Sequence, residues 1–232
     1  MSGRWTSGQD LHHLCWVASV RQDVPDAAWA GVASFLRYDD PVEGMIYAVG
    51  GRNDATTGPS ARSFMLDVGS CAWMELPPMQ EPRAGCAAVE LGGLVYVVGG
   101  FHVDSQGTRR VSRTVERYDP RLDRWEYVAK MSLPRFGHGA VAVGGWLVVA
   151  GGCGAGNQQL AHCEIYNPAA DTWCTAPALP GARAGLRLVS DGTHAYAVGG
   201  FRVGALDTVE KWRPGESKWR HCLALAERRS AP

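Results

Sequence analysis

The sequence predicts an all-β fold assembled from about four copies of one small four-stranded unit, and three observations carry that expectation. An apolar run stops at paired glycines four times: IYAVGG at Gly50-Gly51, VYVVGG at Gly99-Gly100, LVVAGG at Gly151-Gly152 and AYAVGG at Gly199-Gly200. The first glycines lie 49, 52 and 48 residues apart, and self-similarity near fifty residues marks a propeller or an array of β units. A tryptophan follows each pair (Trp73, Trp125, Trp173 and Trp219), standing seven residues after Leu66, Tyr118, Tyr166 and Trp212. The last three pairs are also preceded by an unusually small-sided strand: AGCAAVEL from Ala84, GHGAVAV from Gly137 and AGLRLV from Ala184.

Each unit reads the same way along the chain. The small-sided strand comes first, because small residues permit strands to crowd around a centre. The apolar strand follows and ends at Gly-Gly, where the missing Cβ allows positive φ and a sharp exit into a loop. After that loop come YDPRLDRW, YNPAADTW and WRPGESKW. There an aromatic residue ends the third strand, proline and polar residues turn the chain, and tryptophan opens the fourth. Pro82-Arg83, Pro134-Arg135 and Ala182-Arg183 then open the next unit. No segment keeps a helical period.

This places units at 29–82, 83–134, 135–182 and 183–227. The first is degenerate. Trp29 stands where arginine is expected, YDDPVEG lengthens a turn, and Phe64 and Leu66 replace the glutamate and aromatic of the other copies. Those glutamates, Glu116, Glu164 and Glu210, sit two residues before the aromatic; their recurrence points to internal hydrogen-bond acceptors that tie neighbouring units together. Residues 1–28 hold LCWVASV around Trp16, nine residues before Pro25, which reads as the outer strand of a partial unit. Residues 228–232 read as the start of a truncated further strand.

An arginine, a small-residue strand, an apolar strand ending in Gly-Gly, a V-E-x-Y type strand and a spaced tryptophan together resemble the kelch repeat, over about residues 29 to 229. The resemblance implies a β-propeller of about four four-stranded blades around a channel, incomplete or atypically closed. An open propeller leaves strand edges unpaired. Three accounts of that stay open: a fragment or alternative product of a longer propeller, a compact four-bladed ring with a decorated N-terminus, and an oligomer or partner chain that completes the sheet.

Composition narrows the function. Lys+Arg and Asp+Glu are both 23, so no basic field exists to hold nucleic acid. No apolar run approaches eighteen residues and no secretory pattern opens the chain, so neither membrane insertion nor export is expected, and a cytoplasmic location is. The seven cysteines are scattered and never form C-x-x-C, the pattern of reduced, mostly buried thiols. Cys153 in its Cys-Gly-Ala-Gly loop is the candidate for a reactive thiol, and His12, His13 and Cys15 fall short of a metal-ligand set. No serine elbow, phosphate-cradling loop or His-carboxylate cluster emerges, so no catalytic residue, cofactor or metal is assigned.

Kelch propellers are mostly protein-binding platforms with a minority of enzymes, so the resemblance implies a non-catalytic interaction module. Substrate recognition for a ubiquitin ligase is the nearest role, although such adaptors carry a BTB or F-box domain, for which these residues have no room. An actin or cytoskeletal scaffold, or a kelch-type enzyme such as a sugar epimerase, is the alternative. Variable loops on a repeated scaffold carry specificity. The loops after the glycine pairs offer Arg52, Asn53, Phe101, His102, Arg109, Arg110, Phe201 and Arg202, types frequent at interface hot spots. In peptide-capturing kelch domains the arginine after the glycine pair and those opening the first strand line one mouth of the channel. The matching positions are Arg52-Asn53, Arg83, Arg135 and Arg183. Such a ring of guanidinium groups suits an acidic or phosphorylated partner segment; hydrogen bonding to loop carbonyls is the other reading of the three recurrent arginines.

Overall fold

Short apolar runs bounded by glycine and proline form strands throughout the structure, a computed structural model that describes residues 45–52, 58–222 and 224–227. The first sheet contains β1 (Met45–Val49), β2 (Ser63–Asp67) and β3 (Ala72–Leu76). The second contains β4 (Ala87–Leu91), β5 (Leu94–Val98), β8 (Val115–Asp119) and β9 (Arg124–Val128), with a ribbon of β6 (Phe101–Val103) and β7 (Arg109–Val111) inserted after β5. The third comprises β10 (Gly139–Val143), β11 (Trp146–Ala150), β12 (Cys163–Asn167) and β13 (Thr172–Ala176), and the fourth β14 (Arg187–Ser190), β15 (Ala195–Val198), β16 (Val209–Trp212) and β17 (Arg220–His221). Every sheet pairs antiparallel in chain order, so these are the blades of a β-propeller.

The inner strands β4, β10 and β14 stand side by side, and their small residues are what lets them. A Cβ on Gly139 would sit 2.7 Å from Leu188 Cγ on the neighbouring blade. Backbone bonds also link the segments leading into these strands: Gly137 N donates to Gly85 O and Gly185 N to Gly137 O, both at 2.8 Å.

Because the second strand of each complete blade is covered on both faces, alternate residues feed different interfaces. In β5, Val97 packs toward the first blade with Tyr47, Val49 and Ala88. Its neighbours Tyr96 and Val98 pack toward the third blade with Leu147 and Val149. A further core joins Val148 and Ala150 to Leu186, Leu188 and Ala197 of the fourth blade. Full burial of such side chains contributes roughly 1.5 to 3 kcal/mol each, so inter-blade packing dominates the cohesion of the fold.

The glycine pairs have a second purpose beyond leaving the strand. In the second blade Gly99 and Gly100 take φ of +58° and +91°. A Cβ on Gly99 would lie 2.6 Å from the carbonyl oxygen of Arg135, while Gly100 N donates to that same oxygen at 2.8 Å. Gly51 and Gly152 repeat the bond to Arg83 O and Arg183 O at 2.6 and 2.8 Å. These three pairs are therefore docking points for the segments that lead into the next blades.

The tryptophans staple the rim. Trp125, Trp173 and Trp219 each donate Nε1 to a carbonyl at the end of the preceding blade: Pro77 at 2.9 Å, Ala129 at 2.7 Å and Pro177 at 2.8 Å. The aromatic seven residues earlier tilts against its tryptophan, with centroids 5.3 Å apart for Tyr118 and Trp125 and 5.0 Å for Tyr166 and Trp173. Its hydroxyl closes the turn by donating to Asp123 (2.6 Å) or Asp171 (2.7 Å), residues held at φ of 46° and 49°.

Three sequence expectations fall outside the described residues: the strand around Trp16 within 1–28, the strand from Trp29, and residues 228–232. One reading is corrected. FHVDSQGTRRVSR is not a plain loop, because Phe101 to Val111 folds back as a two-stranded ribbon, closed at its tip by Asp104, whose Oδ1 accepts from the N–H groups of Gln106 (3.0 Å) and Thr108 (2.9 Å).

Candidate functional site

The antiparallel order sends the glycine-pair loops and the segments linking successive blades to one face, and the tight β4–β5 and β8–β9 turns to the other. On the loop face the recurrent arginines turn inward, which corrects their assignment as partner contacts. Arg83, Arg135 and Arg183 are 0, 0 and 4% exposed. Each reaches the glutamate of its own blade: Arg83 to Glu116 at 3.0 Å, Arg135 to Glu164 at 2.8 Å and Arg183 to Glu210 at 2.8 Å. Nη1 of each also donates to the carbonyl of the first paired glycine, at 2.8 Å on Gly99, 2.9 Å on Gly151 and 3.2 Å on Gly199. A guanidinium cannot deprotonate in a protein, so once buried it needs a carboxylate beside it. The recurrence that suggested a ring of contacts is the recurrence of this clamp.

Glu116 and Glu164 also hold the arriving backbone, as the sequence suggested. Glu116 accepts from Gln80 N at 2.7 Å and Glu164 from Ser132 N at 2.7 Å. The link from the first blade to the second adds Glu81, which accepts from Thr114 Oγ1 (2.8 Å), Ser112 Oγ (3.2 Å) and Tyr127 Oη (3.2 Å). Those bonds and Arg83 hold its carboxyl below the usual range against the opposing pull of burial.

With the arginines withdrawn, the exposed chemistry of the loop face concentrates between the second and third blades. Phe101 of the ribbon meets Phe136 edge to face at a centroid distance of 5.6 Å. The Arg109 guanidinium carbon lies 5.4 Å from the Phe101 centroid and 4.6 Å from that of Phe136, within cation–π range of both rings. Arg109 Nη2 also donates to Asn157 Oδ1 in the loop of the third blade. An exposed guanidinium is thus held over two rings with a neutral hydrogen-bond partner, and among the described residues it forms no ion pair.

The other candidates are dispersed around this centre. Arg110 is paired within the ribbon to Asp104 at 2.8 Å and stands across from His102. Phe201 and Val203 in the fourth-blade loop are 46 and 93% exposed, next to Arg202, whose carbonyl accepts from Gln159 Nε2 at 3.0 Å. Val103 at the end of β6 is 43% exposed. Arg52 is half-buried at the exit of the first blade, and Asn53 lies outside the described residues.

Sequence reasoning missed Phe136 and Asn157. The signal for Phe136 was present, since PRFG replaces the small residue of PRAG and ARAG at 84 and 184. In the second and fourth blades alanine there pairs with phenylalanine after the glycines (Ala84 with Phe101, Ala184 with Phe201), whereas in the third the two are exchanged and Phe136 pairs with Cys153. The exchange is what brings two phenyl rings together across one blade boundary. It also half-buries Cys153, and burial pushes that thiol up despite the nearby Arg109, the reverse of what a reactive cysteine needs.

The family model described as Kelch motif matches residues 82–132, 134–180 and 182–222. Kelch-like protein 34 of Homo sapiens is 34% identical over 141 residues, covering 58% of this chain and 21% of that protein. Kelch repeat and BTB domain-containing protein 12 of Danio rerio is 31% identical over 171 residues, 67% of this chain and 27% of that one. The chain spans less than a third of the length of these curated relatives. Among solved structures, that of YjhT superimposes with a TM-score of 0.66 at 16% identity, over 84% of this chain and 69% of its own, a likeness of fold alone.

Proposed function

The chain belongs to the kelch family, and on that premise we propose that it is a non-catalytic protein-interaction module whose loop face holds a segment of a partner protein. The observation that supports this reading is the Phe101–Arg109–Phe136 stack. Its aromatic faces and fixed guanidinium are presented before any partner arrives, so little side-chain entropy is lost on binding. The exposed Val103, Phe201 and Val203 extend the apolar surface on the same face. Arg109 and Arg202 form no ion pair among the described residues, which favours an acidic or phosphorylated segment, since a planar fork takes carboxylate or phosphate in bidentate fashion. Recognition of a ubiquitin-ligase substrate in the cytoplasm is the role we assign to such capture.

Affinity capture with mass spectrometry tests the reading. A triple variant, Phe101→Ala with Arg109→Ala and Phe201→Ala, is compared with Leu122→Ala, which removes an exposed side chain from the β8–β9 turn on the opposite face. Partners that vanish with the triple variant and persist with Leu122→Ala support it. Equal recovery with both overturns it.

A further inference from the structure

We propose that His162 is an acid-sensitive latch on the part of the loop face that carries Phe136. Residue 162 stands immediately before the third strand of its blade, the place held by Thr114 in the second blade and Thr208 in the fourth. Both threonines serve the buried arginine: Thr114 Oγ1 accepts from Arg83 Nη2 at 2.6 Å and Thr208 Oγ1 from Arg183 Nη1 at 2.9 Å. In the third blade His162 Nδ1 takes over, 3.0 Å from Arg135 Nη2.

The exchange of hydroxyl for imidazole replaces a group that does not titrate with one that does. Guanidinium can only donate, so His162 Nδ1 must carry a lone pair and the ring is neutral with its proton on Nε2. Two charged groups face the ring: Arg135, from the segment leading into β10, and Glu164, on the ring's own strand, whose Oε1 lies 3.7 Å from Nδ1. Burial and Arg135 hold the imidazole below its ordinary pKa, with Glu164 pulling the other way. The side chain is 29% exposed, so protons reach it without unfolding of the blade.

Protonation places an N–H and a second positive charge against Arg135 Nη2. The contact breaks, and Glu164 is drawn between two cations. Glu164 also holds Ser132 N, and Phe136 follows Arg135 directly, so the strain falls on residues 132–136. Phe136 is the ring beneath Arg109 and against Phe101. Near neutral pH the latch is closed and the aromatic stack is held; on acidification Phe136 is released. The latch stands on this geometry, and only its consequence for binding rests on the interaction reading.

Solution NMR of the intact chain tests it without any partner. The His162 ring is expected to titrate below the ordinary 6.5, with the neutral form protonated on Nε2. The Phe136 amide should follow the same midpoint and lose that pH dependence in His162→Thr, which restores the hydroxyl of the other blades. A midpoint at or above 6.5, a neutral ring protonated on Nδ1, or a Phe136 titration unchanged in His162→Thr overturns the proposal. The ring state is read on the unmodified protein, so the test decides even if the variant fails to fold. His138, two residues from Phe136, is pushed down to about 3, and its contribution to the Phe136 titration is the part that persists in His162→Thr.

Discussion

Arg135 and Glu164 form an ion pair 2.8 Å apart with side chains only 0 and 2% exposed. The pair joins the start of the third blade to its third strand, and through Ser132 N it also fastens the link from the second blade. A buried charge is tolerable only while its partner is present, so the two residues stand or fall together.

Glu164→Gln is therefore expected to destabilise the protein by about 3 to 5 kcal/mol, because it leaves the Arg135 charge buried without compensation. The double variant Arg135→Met with Glu164→Leu should lose less than either single change. Denaturant unfolding of the unmodified protein, Arg135→Met, Glu164→Leu and the double variant forms the cycle, and additive losses would contradict the pairing.

Two glycines at positive φ should respond differently to alanine. At Gly152 (φ +91°) a Cβ would meet His138 Cβ and Phe136 O at 2.7 Å, whereas at Gly92 (φ +65°) it would meet nothing within 4 Å. Gly92→Ala carries backbone strain alone, on the order of 1 kcal/mol. Gly152→Ala adds a collision with the segment that leads into β10 of its own blade and should lower the melting temperature several-fold more.

Acid stability should depend on His138, which is buried and whose folded pKa is pushed down to about 3, by burial first and by Arg135 second. A depressed histidine stabilises the fold above the unfolded pKa near 6.5. That contribution is lost as the pH falls from there toward about 3, while the unfolded chain takes up the proton and the folded one refuses it. Leucine occupies the matching position at Leu186, so His138→Leu should flatten the fall in melting temperature between pH 6.5 and 4. An unchanged slope would exclude His138 as its source.

Cys71 holds φ of 55° in the turn where the second and third blades place Asp123 and Asp171. Asparagine visits that region more readily than cysteine, and the site is exposed. Cys71→Asn should raise stability by roughly 0.5 to 1 kcal/mol, in the range of other turn optimisations, read as a shift in denaturation midpoint at constant slope.

Much of the blade was legible because it repeats. Gly99-Gly100, Tyr118 and Trp125 recur with their spacings intact, and each has a local consequence: an exit, a turn closure, an outer strand. The direction of the recurrent arginines was harder to read. Spacing alone cannot say whether Arg135 faces a partner or Glu164, because both outcomes demand the same residue in every copy. Phe136 and Asn157 were missed because their importance lies in a contact between blades, made by residues that break the repeat instead of keeping it.

By itself the sequence determined the repeating unit, its strand order and the faces on which its loops emerge, since glycine, proline and alternating apolar residues act through local backbone geometry. Only the tertiary structure decided which repeated groups are architecture and which are surface. Burial is a property of neighbouring blades: it draws Arg83, Arg135 and Arg183 onto their glutamates, because a charge removed from water must find its counterpart. It leaves Arg109 outside, resting on Phe101 and Phe136, because its ribbon crosses the blade boundary in solvent, where a guanidinium needs no such pair.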